Sequence, residues 1–355
     1  MTLRLSSAGE SHGPALVAII TGLPAGLTLD RAAIDADLAR RQAGYGRSPR
    51  QQIERDTVEV LAGLRHGRTL GTPLALVVRN RDHKNWTWGM SPWPPEGDPV
   101  GKGTKQVTLP RPGHADLAGV QKFGHDDVRN ALERASARHT AVHVAAGAVA
   151  KALLTAIGIS VQGLTVDEDG LRARIDEARS ERDTVGGIVE VRAASVPPGL
   201  GSYAATEDRL DARLAAAVMG IQAVKGVEIG DGFALASLRG SEAHDEISTS
   251  TRRTSNRAGG IEAGVSNGEE VVVRAAMKPL PTLMKPLASI DLATGEEATA
   301  LVERSDVAAV EALAVVSEAA VAWELAVAAK EKFGGDAVGD FIAAHRAYCE
   351  RIQWH

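Results

Sequence analysis

Residues 128–156 read VRNALERASARHTAVHVAAGAVAKALLTA, and the second half is almost entirely Ala, Val and Leu. A helix over Val128–Ala156 with so little polar surface predicts close helix–helix packing inside a core. Its counterpart is residues 307–329, VAAVEALAVVSEAAVAWELAVAA. Glu311, Glu318 and Glu324 interrupt that stretch, which a lipid-facing span would tolerate badly, so it reads as a buried or interface helix rather than a membrane segment. Working outward, helices are expected at Asp30–Ala43, Thr206–Val218, Asp306–Lys332 and Val338–Ile352. Strands are expected at Leu3–Ser7, Ala15–Ile20, Thr57–Leu61, Leu74–Arg79, Ile188–Ala193, Gly226–Ser237 and Val271–Ala276. No regular strand–helix alternation announces a wound parallel sheet, so the fold class is α+β.

Length gives a soft prior of two domains for 355 residues, 44% of them hydrophobic. Pro and Gly are spread along the chain except at SPWPPEGDPVGKGT, residues 91–104. One domain over 1–355 carrying a long Pro/Gly-rich loop at about 80–105 is therefore expected. The single cysteine, Cys349, excludes an intramolecular disulfide framework and a multi-cysteine metal site, and it fits a reducing compartment, most simply the cytoplasm. MTLRLSSAGESHG at the start lacks the pattern of a secretory signal.

Against a net charge of -5, residues 40–56, RRQAGYGRSPRQQIERD, place Arg40, Arg41, Arg47 and Arg50 within eleven residues without a carboxylate. Such a cationic nest in an acidic chain suggests a small anionic ligand, because guanidinium forks match phosphate and carboxylate bidentately. Taken alone it also reads as a solvated basic loop. Two glycine-bounded loops each add a histidine: GESHG at 9–13 and RPGHAD at 111–116. ERASAR at 133–138 adds Arg134 and Arg138, four apart and so on one helix face. Anion-binding arginines beside His12 and His114, groups suited to proton transfer near neutral pH, make an acid/base site for an anionic substrate.

With GTPLALVVRNRDHKNW (71–86), AVKGVEIGDGF (223–233), TSNRAGGIEAGVSNG (254–268), AAMKPLPT (275–282) and ERSDV (303–307) following in order, the chain resembles the chorismate synthase family over about three hundred residues. That resemblance implies helices sandwiched between antiparallel β-sheets and a homotetramer. It implies a lyase that removes phosphate from 5-enolpyruvylshikimate 3-phosphate by anti 1,4-elimination, giving chorismate in the shikimate pathway to aromatic amino acids. Reduced FMN is needed although no net redox change occurs. No segment for NADPH is visible, so a monofunctional enzyme served by an external flavin reductant or reductase is expected. By position in the motifs, Arg41, Arg47, Arg50, Arg138 and Arg304 hold substrate, joined by Arg111 and Arg134. His12 protonates the leaving phosphate and His114 lies by the flavin. Asp306 lies near the flavin N5, and Ser11 and Ser136 relay protons. FMN is held by Asn256, Ala258, Met277, Lys278, Thr282 and Ser305.

Independently of the resemblance, Ser305-Asp306 ahead of an apolar run reads as a helix N-terminus. No Walker or dinucleotide fingerprint appears, and Trp86 and Trp88 read as loop-packing groups. The chain departs from the family after ERASAR, where a Glu and an Arg four apart are replaced by His139 and His143. That spacing can bind a metal but lacks an identified third ligand, so no metal is expected; some pH sensitivity is. Gln222 and Glu311 stand where the family commonly has proline. A metal-dependent phosphohydrolase, motivated by His114-Ala115-Asp116 and His125-Asp126-Asp127, is an alternative. Nucleic-acid binding is disfavoured by a pI near 6.1 and the lack of aromatic–basic interleaving.

Overall fold

Two four-stranded antiparallel sheets enclose a layer of helices. In the computed structural model, which describes residues 2–47, 55–249, 251–285, 287–301 and 306–354, the first sheet holds β1 (Arg4–Ala8), β2 (Ala15–Thr21) and β3 (Val58–Ala62). After a small hairpin of β4 (Leu64–Arg65) and β5 (Arg68–Thr69) comes β6 (Leu74–Arg79), and the sheet order is β1-β2-β6-β3. Leu16, Ala18 and Ile20 alternate along β2 into the core while Ile19 stays exposed, the period expected of a strand with one buried face. The second sheet holds β7 (Ser160–Thr165), β8 (Gly187–Ala194), β9 (Val224–Ile229) and, past the hairpin of β10 (Ile261–Glu262) and β11 (Val265–Ser266), β12 (Val271–Met277). Its order is β7-β8-β12-β9.

The helices are α1 (Arg31–Gln42), α2 (Asp116–Phe123), α3 (Arg129–Ala135), α4 (Thr140–Thr155), α5 (Glu168–Ser180), α6 (Leu210–Met219), the single-turn α7 (Gly240–Ala243), α8 (Val310–Phe333) and α9 (Val338–Ile352). Helix α4 lies on β2 and β6, α8 lies on β7 and β8, and α4 and α8 pack on each other. A Cβ at Gly147 of α4 would sit 2.3 Å from the Ala319 Cβ of α8, so the two backbones are as close as glycine permits. A Cβ at Gly163 of β7 would likewise meet the Ala314 carbonyl oxygen at 2.2 Å. Helix α8 is long and apolar enough to cross a membrane, yet it is mostly buried inside the fold.

The buried Glu318 of α8 is held where a lone carboxylate would be costly. Arg40 Nη1 and Nη2 donate to its two oxygens at 2.9 and 2.8 Å, Lys151 Nζ donates at 2.6 Å and the Gly163 N–H at 2.8 Å. One carboxylate thus joins α1, α4, α8 and β7. Burial pushes its pKa up, but the bonds from Arg40 and Lys151 outweigh that and hold it below the usual carboxylate range.

Four expectations need correction. The helix expected over Thr206–Val218 begins as α6 at Leu210, because Thr206–Asp208 form a 3-10 turn and Arg209 is extended at ψ 126°. The helix expected over Val128–Ala156 is broken at Ser136, whose ψ of 141° is extended; its hydroxyl accepts from the Arg138 N–H at 3.3 Å and restarts the chain as a 3-10 turn leading into α4. The strand expected over Gly226–Ser237 stops at Ile229, because Gly230 and Gly232 turn at φ of 60° and 48° and residues Gly232–Ser237 form a 3-10 helix. The helix expected from Asp306 begins at Val310, and Asp306 meets Arg47 instead of capping it. Strand β7 and helices α2 and α5 had no expectation.

Gly147→Ala is expected to lower stability by roughly 1–3 kcal/mol through overpacking against Ala319, as read from the denaturant midpoint at unchanged slope. Wild-type stability would contradict the close contact.

Candidate active site

Both histidine loops, the broken helix and the N-terminal ends of α4 and α8 meet at one cavity of ≈ 660 Å³. The loop at 9–13 is shaped by Gly9 at φ 119°, where a Cβ would strike the Ala15 carbonyl oxygen at 2.5 Å. Asn80 ties it down, donating to the carbonyls of Glu10 and Gly13 at 3.1 and 2.8 Å while its own oxygen accepts from Arg138 Nε at 2.8 Å. His12 Nδ1 lies 2.9 and 3.1 Å from the two oxygens of Glu133, and the His12 N–H donates to the same carboxylate at 2.8 Å. Trp86, buried at the start of the long loop, stacks on the His12 ring at a centroid distance of 3.9 Å.

His114 has a parallel arrangement. Its Nδ1 bonds to Asp116, the first residue of α2. Asp116 also accepts from the Arg111 backbone N–H at 3.0 Å and from Arg111 Nε at 2.8 Å. Burial pushes the Asp116 pKa up, but the bonds from His114 and Arg111 hold it well below the usual carboxylate range. Arg111 Nη1 donates to Thr282 Oγ1 at 3.1 Å, and Lys278 Nζ donates to the Gly113 carbonyl, so residues 277–282 are fastened to the His114 loop.

The arginines form a braced cluster. Asp56, itself buried, accepts from Arg138 Nη1 at 2.6 Å and from Arg41 Nη1 at 3.5 Å. Arg41 Nε donates to Thr140 Oγ1 at 2.8 Å and Nη2 to the Ala137 carbonyl at 3.1 Å, which stabilises the break between α3 and α4. Arg47 pairs with Asp306 at 3.1 Å, and its buried Nε has no hydrogen-bond partner among the described residues. Burial lowers the pKa of Arg41 to about 10 against the opposing pull of Asp56, and it lowers that of Arg47 against Asp306. Positive charge is thus crowded into low dielectric, where an anionic ligand would relieve it.

His12, His114, Asp306, Ser11, Ser136, Arg41, Arg47, Arg138, Arg111, Met277, Lys278 and Thr282 all line this cavity. Ser136 Oγ donates to Ser11 Oγ at 3.3 Å. Arg134 lies off the wall, donating to the carbonyls of Gly9 and Ser7 at 3.2 and 3.4 Å. Asn256 and Ala258 also lie off it. The Asn256 side chain bridges the Glu270 carbonyl and the Gly260 N–H, and the Ala258 N–H donates to Asp245. Arg50, Arg304 and Ser305 fall outside the described residues.

Residues 3–168 and 165–329 match the family model described as chorismate synthase. The sequence is 52% identical to chorismate synthase of Desulforudis audaxviator (strain MP104C), with 99% of this chain and 98% of that relative covered. The chain belongs to the chorismate synthase family. It is 51% identical to chorismate synthase of Symbiobacterium thermophilum, with 99% of each covered. A crystal structure of chorismate synthase superposes with a TM-score of 0.79 at 35% identity, covering 100% of this chain and 99% of the other. Its activity is therefore that of a lyase, the 1,4-elimination of phosphate from 5-enolpyruvylshikimate 3-phosphate to chorismate. The family works with reduced FMN.

Four contributors to this chorismate synthase site are not assigned to it by the sequence: Glu133, Asp56, Asp116, which there supports only a metal-dependent alternative, and Gln222, which there is only a departure from proline. Glu133 and Asp116 stand inside quoted motifs, and a carboxylate near a loop histidine is the signal that was available. Asp56 and Gln222 reach the site only through tertiary contacts. Gln222 lines the cavity with its amide nitrogen 3.1 Å from His139 Nε2, and its buried oxygen has no partner among the described residues.

His139 and His143 pack edge-on at 5.2 Å, and no group of three metal-binding side chains occurs among the described residues. Burial lowers the pKa of both, that of His143 to about 4, with His139 and Arg134 adding repulsion. Unfolded histidine takes up its proton near pH 6.5. The unfolded chain therefore binds more protons between pH 6.5 and about 4, so stability is full above that window and falls as pH drops through it, by about 3 kcal/mol for His143. His143→Gln, which keeps a partner for Ser7, should flatten this slope in urea unfolding at stepped pH. An unchanged slope would contradict the assignment.

Proposed function

We propose that the cavity holds substrate and reduced FMN together, with His12 at the leaving phosphate and His114 at the flavin. The observation that carries this reading is the meeting of two carboxylate-backed histidines with Arg41, Arg47, Arg111 and Arg138 on one wall. The substrate's phosphate and two carboxylates need paired cations when buried. Arg47 Nε, buried and without a hydrogen-bond partner among the described residues, and the burial that lowers the pKa of Arg41 and Arg47 support an anionic ligand at these two side chains. The N-terminal ends of α4 and α8 add favourable dipoles for anions. Arg50 and Arg304 join the substrate set by resemblance.

The donor set fits FMN. Lys278 and Thr282 lie in one loop segment beside Arg111 and offer cationic and hydroxyl donors to a phosphate. Ala312, Leu313 and Val316 on α8 offer an apolar wall for a flat ring. Gln222 presents an acceptor with no partner among the described residues. Met277 lines the same cavity, and Ser305 belongs with this set by resemblance. Asn256 and Ala258 lie off this wall, so any contact they make with FMN comes from outside the single-chain cavity. When bound, reduced FMN supplies an electron-rich ring beside the substrate with no net redox change. His12 gives a proton to the phosphate oxygen as the C–O electron pair leaves with it, the ring C–H bond at the other end of the elimination gives its electrons to the new double bond and its hydrogen leaves on the flavin side, and Ser11 and Ser136 connect the loop to α3 for proton return. Asp306 and His114 hold protons on the flavin side, Asp306 positioned by Arg47 and His114 by Asp116.

The chain is read as one domain, assembled as a homotetramer and working in the cytoplasm. It is monofunctional, with flavin reduced by an outside reductase. The test is anaerobic turnover of 5-enolpyruvylshikimate 3-phosphate with chemically reduced FMN, following chorismate and phosphate together. Equal release of both, only with reduced flavin and not with NADPH plus oxidised FMN, is expected. Phosphate without chorismate, abolished by a chelator, would favour the phosphohydrolase instead. Arg47→Leu should lower kcat/KM roughly 10²-fold by leaving substrate charge unpaired; an unchanged value would remove Arg47 from the substrate site.

A further inference from the structure

His12 has only one nitrogen free to act on a ligand. Nδ1 is engaged by both oxygens of Glu133, at 2.9 and 3.1 Å, which leaves Nε2 for the cavity that His12 lines. A carboxylate only accepts, so Nδ1 carries the hydrogen. Glu133 is almost fully buried, its side chain 2% exposed, and it is fixed from several directions. Its backbone carbonyl accepts from the Ser11 N–H at 3.0 Å, its carboxylate accepts from the His12 N–H at 2.8 Å, and Arg129 lies 3.5 Å away one turn earlier on α3. Loop 9–13 and the end of α3 are thereby locked together at the histidine. Trp86 closes the other side: its ring stacks on His12, its indole N–H donates to Asp82 at 2.9 Å, and the Arg129 guanidinium sits 5.1 Å from its centroid.

We propose that Glu133 is the positioning residue of the phosphate-leaving step, acting through His12. This rests on the reading of His12 as the proton donor. Glu133 fixes the Nδ1–H form and aims Nε2 at the leaving group. Its negative charge also balances the charge the ring carries while Nε2 holds a proton. When the C–O bond breaks, its electron pair goes to the phosphate oxygen and the Nε2 proton follows it, while the ring C–H bond at the other end of the 1,4-elimination gives its electrons to the new ring double bond and its hydrogen leaves on the flavin side. The ring is left neutral with Nδ1–H still on Glu133, ready to take a proton from solvent once phosphate departs. Trp86 keeps the ring from rotating off this line.

The test is a double-mutant cycle in the intact, FMN-loaded protein with Glu133→Gln, His12→Asn and the pair. Gln keeps the shape and one acceptor but loses the charge. Glu133→Gln is expected to lower kcat about 10²–10⁴-fold, the range of one general acid, with KM for substrate and FMN affinity within about 3-fold. In the His12→Asn background the same change should cost less than about 3-fold, because the partner through which it acts is gone. Equal losses in both backgrounds would make Glu133 merely structural and overturn the inference, as would a wild-type kcat in Glu133→Gln when His12→Asn is inactive. Full activity in His12→Asn would sink the reading of His12 itself, and with it this one. Should Glu133→Gln fail to fold, Trp86→Phe provides a second handle. Loss of stacking area should lower kcat while FMN still binds, again only when His12 is present, and an equal effect without His12 would count against the proposal.

Discussion

The approach of α4 to α8 is the constraint on which the rest of the molecule depends. With Gly147 against Ala319, the helices leave no room for a side chain between them, and each is free to cover a sheet with its other side. Dispersion contacts at that density carry much of the burial of an aliphatic core. The same closeness fixes function, since both helices begin at the cavity wall. The break and 3-10 turn before α4 deliver Ser136 and Arg138, the first residue of α4 is Thr140, and the start of α8 follows Asp306. Glu318, bonded at once to Arg40, Lys151 and Gly163, holds the register of this layer.

Around the cavity, buried arginines share carboxylates among the described residues. Asp56 serves both Arg41 and Arg138, and Asp306 serves Arg47, yet burial still lowers the pKa of Arg41 and Arg47. An anionic substrate gains from arginines already held in place by these carboxylates. The histidines follow the opposite plan, because each has its own carboxylate. Glu133 and Asp116 settle which ring nitrogen is committed to the protein and which is left for chemistry.

Much of this was legible in the sequence. The β-like runs of β2 and β6 and the Ala/Val/Leu runs of α4 and α8 follow from burial, and the arginines Arg41, Arg47, Arg111 and Arg138 singled out with His12 and His114 line one cavity with them. What was not legible depends on tertiary bonds. The break at Ser136 is favoured by Arg41 reaching the Ala137 carbonyl from another helix, while local pattern favours an unbroken helix. Glu318 looked like an interruption of an apolar run because Arg40 lies 278 residues away in sequence. Strand β7 is exposed at every second residue and carries Gly163, whose purpose is the close passage of α8. Asn256 and Ala258, placed by resemblance in the flavin set, hold a loop that does not reach this wall within one chain.

The central claim is that substrate and flavin share this one cavity, with the two histidines dividing the work. A crystal structure of the protein grown anaerobically with 5-enolpyruvylshikimate 3-phosphate and FMN tests it most directly. The account predicts substrate phosphate within hydrogen-bond distance of His12 Nε2, its charges met by Arg41, Arg47 and Arg138, and flavin against His114 with its phosphate toward Lys278 and Thr282. Substrate bound away from His12, or flavin held outside the cavity, would contradict it.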